Sequence, residues 1–443
     1  MKLKSSEIIK RGTCILTEKP FVYALNSKYR KERCDFCFLK TNLLKCTGCN
    51  YVYYCGRACQ KEAWTIHKIE CPCLRRAGSR IIPNAARMLL RIIIKLKQNG
   101  EFEKGYYTST NYRRFKDLMS HYAEIKLDSK RMEHLESLQA VLEQLLVDIP
   151  VPNSAELLGL YGRLTVNGFN ILDGEMCSLG TGIYLGISIV DHSCTPNAVV
   201  VFEGTTLYIR TLQDLPSLNW SEIFISYIDL LNTTEARRID LKSTYYFLCT
   251  CYHCLDDSET KLMNSACCMN AFCDEPIDAS FSDKICNKCT TKVSEEHMQT
   301  YHEVKEFIEM KLEEMKDIAY LDVCKICLKK MSGILHPKNI LYVKILDMAF
   351  ESAIQMCLWN DAISYGNQLL HGFRLYYGNF HPLLGLLYLK LGKILLLQNQ
   401  PESLERLKNA QEILKITHGE KHELYKHNLL PLLEQALSES LPN

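Results

Sequence analysis

The chain has 443 residues, of which 47% are hydrophobic and 23% charged, and its formal net charge is +2. This length predicts roughly two to four domains, and the near-zero charge excludes a global electrostatic attraction to nucleic acids or membranes. Charge-free apolar stretches of about 18 residues are absent, so no membrane span is expected, and the first residues lack a signal peptide's apolar region. The 22 cysteines therefore indicate an intracellular protein whose grouped, reduced thiols bind metal.

Eight potential metal ligands lie within about 40 residues near the start of the chain. A gap of two residues suits a tight turn that points both thiolates at one ion, whereas a gap of three places two ligands one helical turn apart. Two tetrahedral zinc sites are predicted, and zinc would supply the folding energy of a segment too short for its own core. The ligands are Cys34 and Cys37, Cys46 and Cys49, Cys55 and Cys59, and His67 and Cys71.

The remaining sequence predicts helices, then small strands, then helices again. Residues 83–100 and 133–148 carry apolar side chains three to four positions apart, which is typical of helices. Within 180–228, the β-branched runs VVVFEG, TLYIRTL and IFISYI alternate with turn residues and predict short strands. From about residue 291 the pattern is helical. This region contains two similar motifs, Tyr376–Pro382 and Thr417–His422. Helical-hairpin repeats and coincidental helix ends explain their similarity equally well.

Further cysteine groups follow the predicted strands. Cys249, Cys251 and Cys254 need a fourth ligand, and Cys194 is the natural candidate, although spacing alone favours a zinc site and ordinary core cysteines equally. A later group of cysteines ends in CNKC, a spacing typical of a zinc-binding turn, but its first half is irregularly spaced. Another zinc site is therefore expected, without a fixed set of ligands. That group comprises Cys267, Cys268, Cys273, Cys286 and Cys289. The last pair, Cys324 and Cys327, lies in an apolar helical pattern and is interpreted as core or surface thiols.

With these motifs, the chain resembles the SET and MYND domain-containing (SMYD) family of protein lysine methyltransferases over nearly its whole length. The eight-ligand finger carries the resemblance together with Asn167–Met176, Gly180–Asn197, Ile225–Arg238 and Tyr245–Cys254. The resemblance implies an α+β fold, in which a small-stranded SET β-core is split by a zinc-binding MYND finger and followed by an all-α TPR-like domain. The implied segments are an N-terminal SET part (1–33), the MYND finger (34–71), a helical insertion (72–154), the SET core (155–247), a cysteine-rich post-SET segment (248–290) and the helical C-terminal domain (291–443).

The resemblance also implies how the zinc ligands are shared. The finger should be cross-braced, so that ligand pairs alternate between two ions, and a third zinc should join the SET core to the post-SET segment. The implied sets are Cys34, Cys37, Cys55 and Cys59; Cys46, Cys49, His67 and Cys71; and Cys194, Cys249, Cys251 and Cys254. A fourth site at Cys268, Cys273, Cys286 and Cys289 is left open.

The implied reaction transfers a methyl group from S-adenosylmethionine to a lysine amine. Tyr227 matches the catalytic tyrosine, and Phe169 and Tyr245 match walls of the channel that receives the substrate lysine. Such an apolar channel favours a neutral amine, because desolvation lowers the pKa of lysine, and ring faces favour the methylated cation. The residues that match cofactor-binding positions are Asn167, Asp191, His192, Tyr227 and Phe247.

Three segments depart from the family pattern. The chain begins at the strand that follows the family's cofactor-binding glycine loop, Asp191 replaces the usual asparagine, and Leu218–Phe224 replaces an acidic turn. These departures support an alternative function, a catalytically inactive adaptor that uses the finger and the helical domain for protein interaction.

The expected partners are proteins rather than nucleic acid or membrane. The enzyme interpretation predicts histone or non-histone lysine substrates, proline-containing peptides at the finger, a monomeric chain, and a location in cytoplasm and nucleus as a regulator of chromatin. Basic residues near the finger are interpreted as a solvated face rather than a DNA-binding patch. They are Lys28–Arg33, Lys61, Lys68, Arg75 and Arg76.

Overall fold

The computed structural model describes residues 8–280, 285–316 and 318–440. Residues 1–7 of the predicted N-terminal SET part, 281–284 of the predicted post-SET segment, and 317 and 441–443 of the predicted helical domain lie outside the described residues. The chain divides into two compact units. Within the described ranges, the first unit holds 8–191, 197–225 and 242–246, and the second holds 192–196, 226–241 and 247–440.

The secondary structure of the described residues is a mixture of short strands and longer helices. The strands are β1 Cys14–Glu18, β2 Val22–Leu25, β3 Leu44–Lys45, β4 Tyr53–Tyr54, β5 Gly105–Tyr106, β6 Tyr112–Arg113, β7 Gly168–Leu172, β8 Ser178–Ile183, β9 Asp191–His192, β10 Ala198–Glu203, β11 Thr206–Thr211, β12 Phe224–Ile225, β13 Ser265–Ala266 and β14 Ile277–Asp278. The helices are α1 Arg57–Ala77, α2 Asn84–Lys97, α3 Tyr122–Leu127, α4 Ser129–Leu145, α5 Ser154–Asn167, α6 Thr234–Tyr245, α7 Tyr252–Leu255, α8 Asp257–Met263, α9 Glu295–Glu314, α10 Leu321–Met331, α11 Ile340–Gln355, α12 Trp359–Tyr377, α13 Pro382–Leu397, α14 Ser403–Thr417 and α15 Leu430–Ser440.

Two three-stranded antiparallel sheets lie in the first unit. Their strand orders are β1-β11-β10 and β2-β8-β7. Strand β2 precedes the cysteine-rich segment and its partner β8 follows the helical insertion, yet Val22 pairs with Ile183 across them. The β-core is therefore interrupted in sequence by the finger and the insertion. Together with the helical C-terminal region, this arrangement confirms the predicted α+β fold class.

Helix α2 is the centre of the helical insertion and confirms the helix predicted at 83–100. Residues 86–94 are all buried, and the helix packs against β2, α1, α4 and α5. The helix predicted at 133–148 is observed as α4, which begins at Ser129 instead. It begins earlier because the Asp128 carboxylate accepts a hydrogen bond from the Arg131 backbone N–H at 3.1 Å and caps the first turn.

Two of the three predicted strand runs are confirmed, as β10 and β11. The third run, IFISYI, is a strand only at Phe224–Ile225, so its predicted extent was wrong. The following residues turn away because the Ser226 hydroxyl donates to the Ile228 carbonyl at 2.7 Å, and Asp229 accepts from the Leu231 backbone N–H at 3.0 Å. Such local side-chain bonds compete with strand pairing.

Helices dominate the second unit. Helices α10 to α14 pack in succession, each against the next along the chain. The helix ends predicted within Tyr376–Pro382 and Thr417–His422 are confirmed, since Gly378 and Gly419 both adopt left-handed backbone conformations there (φ 78° and 86°). The successive packing favours helical-hairpin repeats over coincidence. In the described part of the chain, no helix combines the length and apolar character that crossing a membrane requires.

Candidate functional site

The first cysteine set of the finger joins a tight turn to the start of a helix. Cys34 and Cys37 lie in the turn, Cys55 follows β4, and Cys59 lies in the first turn of α1. The sulfurs of Cys37 and Cys55 are 3.8 Å apart, those of Cys55 and Cys59 are 3.3 Å apart, and all four lie within 4.8 Å of one another. Zinc-bound sulfurs lie roughly 3.8 Å apart, because four Zn–S bonds of about 2.3 Å point to the corners of a tetrahedron. The set fits a closed zinc site.

The second set places two ligands on one face of α1. His67 and Cys71 lie one turn apart, and the His67 Nε2 atom is 3.4 Å from the Cys46 sulfur and 3.8 Å from the Cys49 sulfur. The sulfurs of Cys46 and Cys71 are 4.0 Å apart, and all four residues are buried. Because Cys46 and Cys49 lie between the two halves of the first set in sequence, the two sets alternate along the chain, as the resemblance implies.

A buried network of charged side chains lies behind His67. The His67 Nδ1 atom lies 3.1 Å from Glu70. Arg91 donates to Glu70 and Asp35, both at 2.7 Å, and Arg87 donates to the same two carboxylates at 3.0 and 2.6 Å. Each of these charged side chains is at most 7% exposed. Although burial alone would raise the pKa of Glu70, Arg87 and Arg91 hold it well below its usual range.

The third set lies in the second unit. The sulfurs of Cys194 and Cys254 are 3.5 Å apart, and the Cys251 backbone N–H donates to the Cys249 sulfur at 3.5 Å. All four sulfurs lie within 4.8 Å of one another. This convergence of side chains from two distant segments favours a zinc site over the ordinary core cysteines that spacing alone left open.

His192 connects this third set to Tyr227. The Tyr227 backbone N–H donates to His192 Nδ1 at 3.0 Å, so the ring proton is on Nε2, which lies 3.3 Å from the Cys194 sulfur. Burial, and secondly the charge of Arg237, lower the pKa of His192 to about 4. The imidazole is therefore neutral at physiological pH. Both ring nitrogens have protein partners, which leaves the ring face and the main chain for contact with a cofactor.

Aromatic rings surround His192 within the second unit. The centres of the His192 and Tyr227 rings are 5.4 Å apart, and those of His192 and Phe247 are 6.0 Å apart. Tyr227 and Phe247 are both half-buried. A half-buried aromatic cluster around a neutral imidazole suits a flat, cationic ligand, because ring faces attract positive charge and a neutral imidazole does not repel it. The chemistry of these residues fits a nucleoside that carries a sulfonium group.

The other predicted site residues lie in the first unit. The Asn167 amide donates to the carbonyls of Met119 and Arg163 at 2.8 and 2.9 Å, which ties the end of α5 to the insertion. Phe169 lies on β7, Asp191 is exposed, and Tyr245 is the half-buried last residue of α6. The roles of all four in binding cofactor or substrate stay predictions.

The later cysteine groups that the sequence predicted comprise a fourth set, one separate thiol and a buried pair. The sulfurs of Cys268, Cys273, Cys286 and Cys289 also lie within 4.8 Å of one another. Cys267 is outside this set, and its thiol lies 3.3 Å from the Leu335 carbonyl. Cys324 and Cys327 are fully buried in α10, so of the two predicted alternatives, core or surface thiols, they are core thiols.

Sequence reasoning missed the charged network and the orientation of His192. One signal for the network was available, since Glu70 follows His67 by three residues on the same helix and so shares its face. Arg87 and Arg91 lie one turn apart within the otherwise apolar run 85–94, which also indicates buried charges that need partners. The contact between His192 and Tyr227 joins residues far apart in sequence and had no local signal.

Known proteins resemble this chain both in the finger and along nearly its whole length. Residues 34–71 match the family model of the MYND finger. The chain is 29% identical to human "Histone-lysine N-methyltransferase SMYD3" over 98% of its own length and 94% of that protein. It is 29% identical to Arabidopsis thaliana "Histone-lysine N-methyltransferase ASHR1" over 97% and 92% of the two chains, and 30% identical to Xenopus laevis "N-lysine methyltransferase SMYD2-A" over 95% and 93%.

Proposed function

Because the chain belongs to the SET and MYND domain-containing (SMYD) family of protein lysine methyltransferases, we propose that it uses S-adenosylmethionine to methylate lysines of histone or non-histone proteins. The observation that carries this proposal is similarity along nearly the whole of both chains to relatives named as lysine methyltransferases. A regulatory role in chromatin, a location in cytoplasm and nucleus, and a monomeric state belong to the same proposal.

S-adenosylmethionine, when bound, supplies an electrophilic methyl group on a sulfonium centre. We assign the adenine contact to Phe247, because a half-buried aromatic ring offers a stacking face. Asn167 and Asp191 are assigned polar contacts with the cofactor, and the Asp191 carboxylate, when ionised, only accepts hydrogen bonds. His192, being neutral, contributes its ring face or main chain without repelling the sulfonium.

Phe169 and Tyr245 are assigned to the channel that receives the substrate lysine. Their rings would exclude water from the amine, and desolvation lowers the pKa of lysine and favours the neutral, nucleophilic form. Tyr227 is assigned to orient that amine through its hydroxyl, because displacement at the methyl group requires the nucleophile on the axis opposite the leaving sulfur. The Tyr227 backbone is held by His192, which gives this orienting group a fixed support.

The three zinc sites of the proposal are structural, since four protein ligands close each one and leave no position for substrate. The finger would fold around its two zinc ions and is proposed to bind proline-containing peptides. The segment boundaries predicted from the resemblance are kept as part of this proposal.

A transfer assay with Tyr227→Phe tests the catalytic assignment. The purified chain is incubated with core histones and S-adenosylmethionine that carries a labelled methyl group, and label on protein is counted. Loss of the hydroxyl should reduce turnover by about 10²-fold or more, the usual effect of removing one preorganised polar group. Zinc content should be retained. S-adenosylhomocysteine binding, measured by calorimetry, should fall much less than turnover, because the variant keeps the aromatic ring at this cofactor-binding position.

Tyr252→Phe is the matched control, because Tyr252 is 75% exposed in the same unit, and its turnover should equal that of the unmodified chain. Equal turnover of the Tyr227→Phe variant would refute the assignment of Tyr227. If the unmodified chain binds no S-adenosylhomocysteine and transfers no label, the adaptor function is supported instead.

A further inference from the structure

Four cysteines outside the three structural zinc sites converge in the second unit. The sulfurs of Cys268 and Cys289 are 3.4 Å apart, and those of Cys273 and Cys286 are 3.7 Å apart. These separations are close to the roughly 3.8 Å edge of a tetrahedral zinc–thiolate site. They exceed the length of about 2.05 Å of a disulfide bond, and all 22 cysteines of the chain are free thiols.

The turn between Cys286 and Cys289 has the same backbone as a zinc-binding turn of the finger. The Thr290 backbone N–H donates to the Cys286 carbonyl at 2.9 Å, and the Phe38 backbone N–H donates to the Cys34 carbonyl at the same distance. In both turns, an antiparallel bridge joins the residue before the first cysteine to the third residue after the second. The two turns therefore share hydrogen bonds and register as well as cysteine spacing.

An unusual backbone conformation also recurs in these turns. The residue after the second cysteine has positive φ in each: 64° at Phe38, 56° at Asn50 and 56° at Thr290. Positive φ is rare for a β-branched residue such as threonine and is strained unless the surroundings impose it. Two of these turns lie within the matched MYND finger. The third therefore has the conformation of a metal-binding turn.

The cysteines hold a segment that has little apolar core of its own. Its strands β13 and β14 have two residues each, and Cys273 and Cys289 are only half-buried. The segment lies on the connection between α10 and α11, where the Cys267 backbone N–H donates to the Ile334 carbonyl at 2.8 Å. The His336 Nε2–H donates to the Asp274 carbonyl at 3.0 Å. These contacts place the part of the post-SET segment that carries the cysteines against the connection between α10 and α11.

We propose that Cys268, Cys273, Cys286 and Cys289 bind a fourth zinc ion, which cross-links the C-terminal part of the post-SET segment, where that segment contacts the connection between α10 and α11. Their thiolates close a tetrahedral site, so the ion is structural. It anchors both ends of the segment between Cys273 and Cys286, and this cross-link supplies the stability that a small core cannot. The proposal is independent of methyl transfer.

Native mass spectrometry of the full chain, purified under reducing conditions with zinc, tests the fourth site. The unmodified chain should carry four zinc ions, and Cys286→Ser/Cys289→Ser should carry three. Cys267→Ser is the matched control, because Cys267 adjoins the site in sequence but its thiol faces the Leu335 carbonyl. This control should retain four ions.

Three zinc ions on the unmodified chain, or four on the double variant, would overturn the proposal. A mass of the unmodified chain that is four hydrogens lighter would report two disulfides and would also overturn it. A second variant covers the case in which the double variant does not fold. Cys289→His keeps a ligand and should still bind four ions. When its metal is replaced by cobalt, the visible spectrum should differ from that of the unmodified chain, and identical spectra would exclude Cys289 as a ligand.

Discussion

At the scale of single residues, His67 is oriented by a carboxylate on its own helix. Glu70 lies 3.1 Å from His67 Nδ1, which directs Nε2 towards the cysteine sulfurs. Carboxylates in this position fix the ring and make the histidine a better ligand. Glu70 is in turn bound by Arg87 and Arg91. Together with Asp35 the network has two positive and two negative charges, so it is neutral as a whole, which makes its complete burial tolerable.

Glu70→Gln should loosen the second zinc and destabilise the first unit. Its neutral amide cannot satisfy two buried guanidinium groups, so we expect a loss of about 3–5 kcal/mol in the free energy of unfolding. Zinc affinity should fall about 10–100-fold. Thermal unfolding and competition with a chromogenic chelator measure the two effects. Glu62→Gln, an exposed change on the same helix, should leave both unchanged, and a Glu70→Gln variant that keeps its zinc equally well would contradict the assigned role.

At the scale of secondary-structure elements, two glycines set the distance between α11 and α12. A Cβ atom added at Gly372 would lie 2.6 Å from a methyl group of Val343, and one added at Gly366 would lie 2.8 Å from the Phe350 ring. Real Cβ atoms do not approach other atoms so closely. The absence of side chains at these positions therefore permits the helices to pack, at the expense of helix propensity.

Gly372→Ala should destabilise the second unit by about 1–3 kcal/mol, because overpacking outweighs the gain in helix propensity. Adding Val343→Ala should restore part of the loss by removing the clashing methyl groups. Gly159→Ala in α5 is the control, since its Cβ would meet only the flexible end of Arg163, at 3.3 Å. This control should be neutral or stabilising. Chemical denaturation measures all three, and a stabilising Gly372→Ala would refute the packing argument.

At the scale of the whole molecule, a net charge of only +2 leaves pH dependence to individual groups with displaced pKa values. Burial, and then the carboxylates of Glu351 and Asp229, raise the pKa of Asp347 to about 7. In the unfolded chain the same carboxyl ionises at about pH 3.9. The folded state therefore binds this proton more tightly, so the destabilising contribution of Asp347 is absent below pH 4 and grows as pH rises to about 7.

Asp347→Asn should remove this part of the pH dependence. At pH 8 we expect the variant to have a free energy of unfolding about 1–3 kcal/mol higher than that of the unmodified chain, and so to unfold at a higher temperature. The difference should be much smaller at pH 5. Thermal unfolding at the two pH values measures it. Asp361→Asn, which breaks an exposed ion pair with Lys325, should change stability little at either pH. An equal effect of Asp347→Asn at both pH values would contradict the assigned ionisation.

Much of the architecture could be predicted because its signals are local in sequence. Apolar periodicity located α2 and the C-terminal helices, and two-residue gaps between cysteines located the zinc-binding turns. The strand run IFISYI was overestimated, because side-chain hydrogen bonds from Ser226 and Asp229 act on the backbone more strongly than β propensity does. The start of α4 was placed too late because the Asp128 cap was not recognised.

By itself, the sequence determined the kinds of ligand, the order of the segments and the family to which they belong, since these depend on residue types and short spacings. The grouping of the cysteines was implied only by the resemblance, and the tertiary structure shows which of them converge. Only the tertiary structure decided how the buried charges around Glu70 pair. It likewise decided that His192 joins the Tyr227 backbone to Cys194. These contacts join segments far apart along the chain, and no local spacing specifies them. They depend on the packing of strands and helices, which fixes distances that a one-dimensional pattern leaves free.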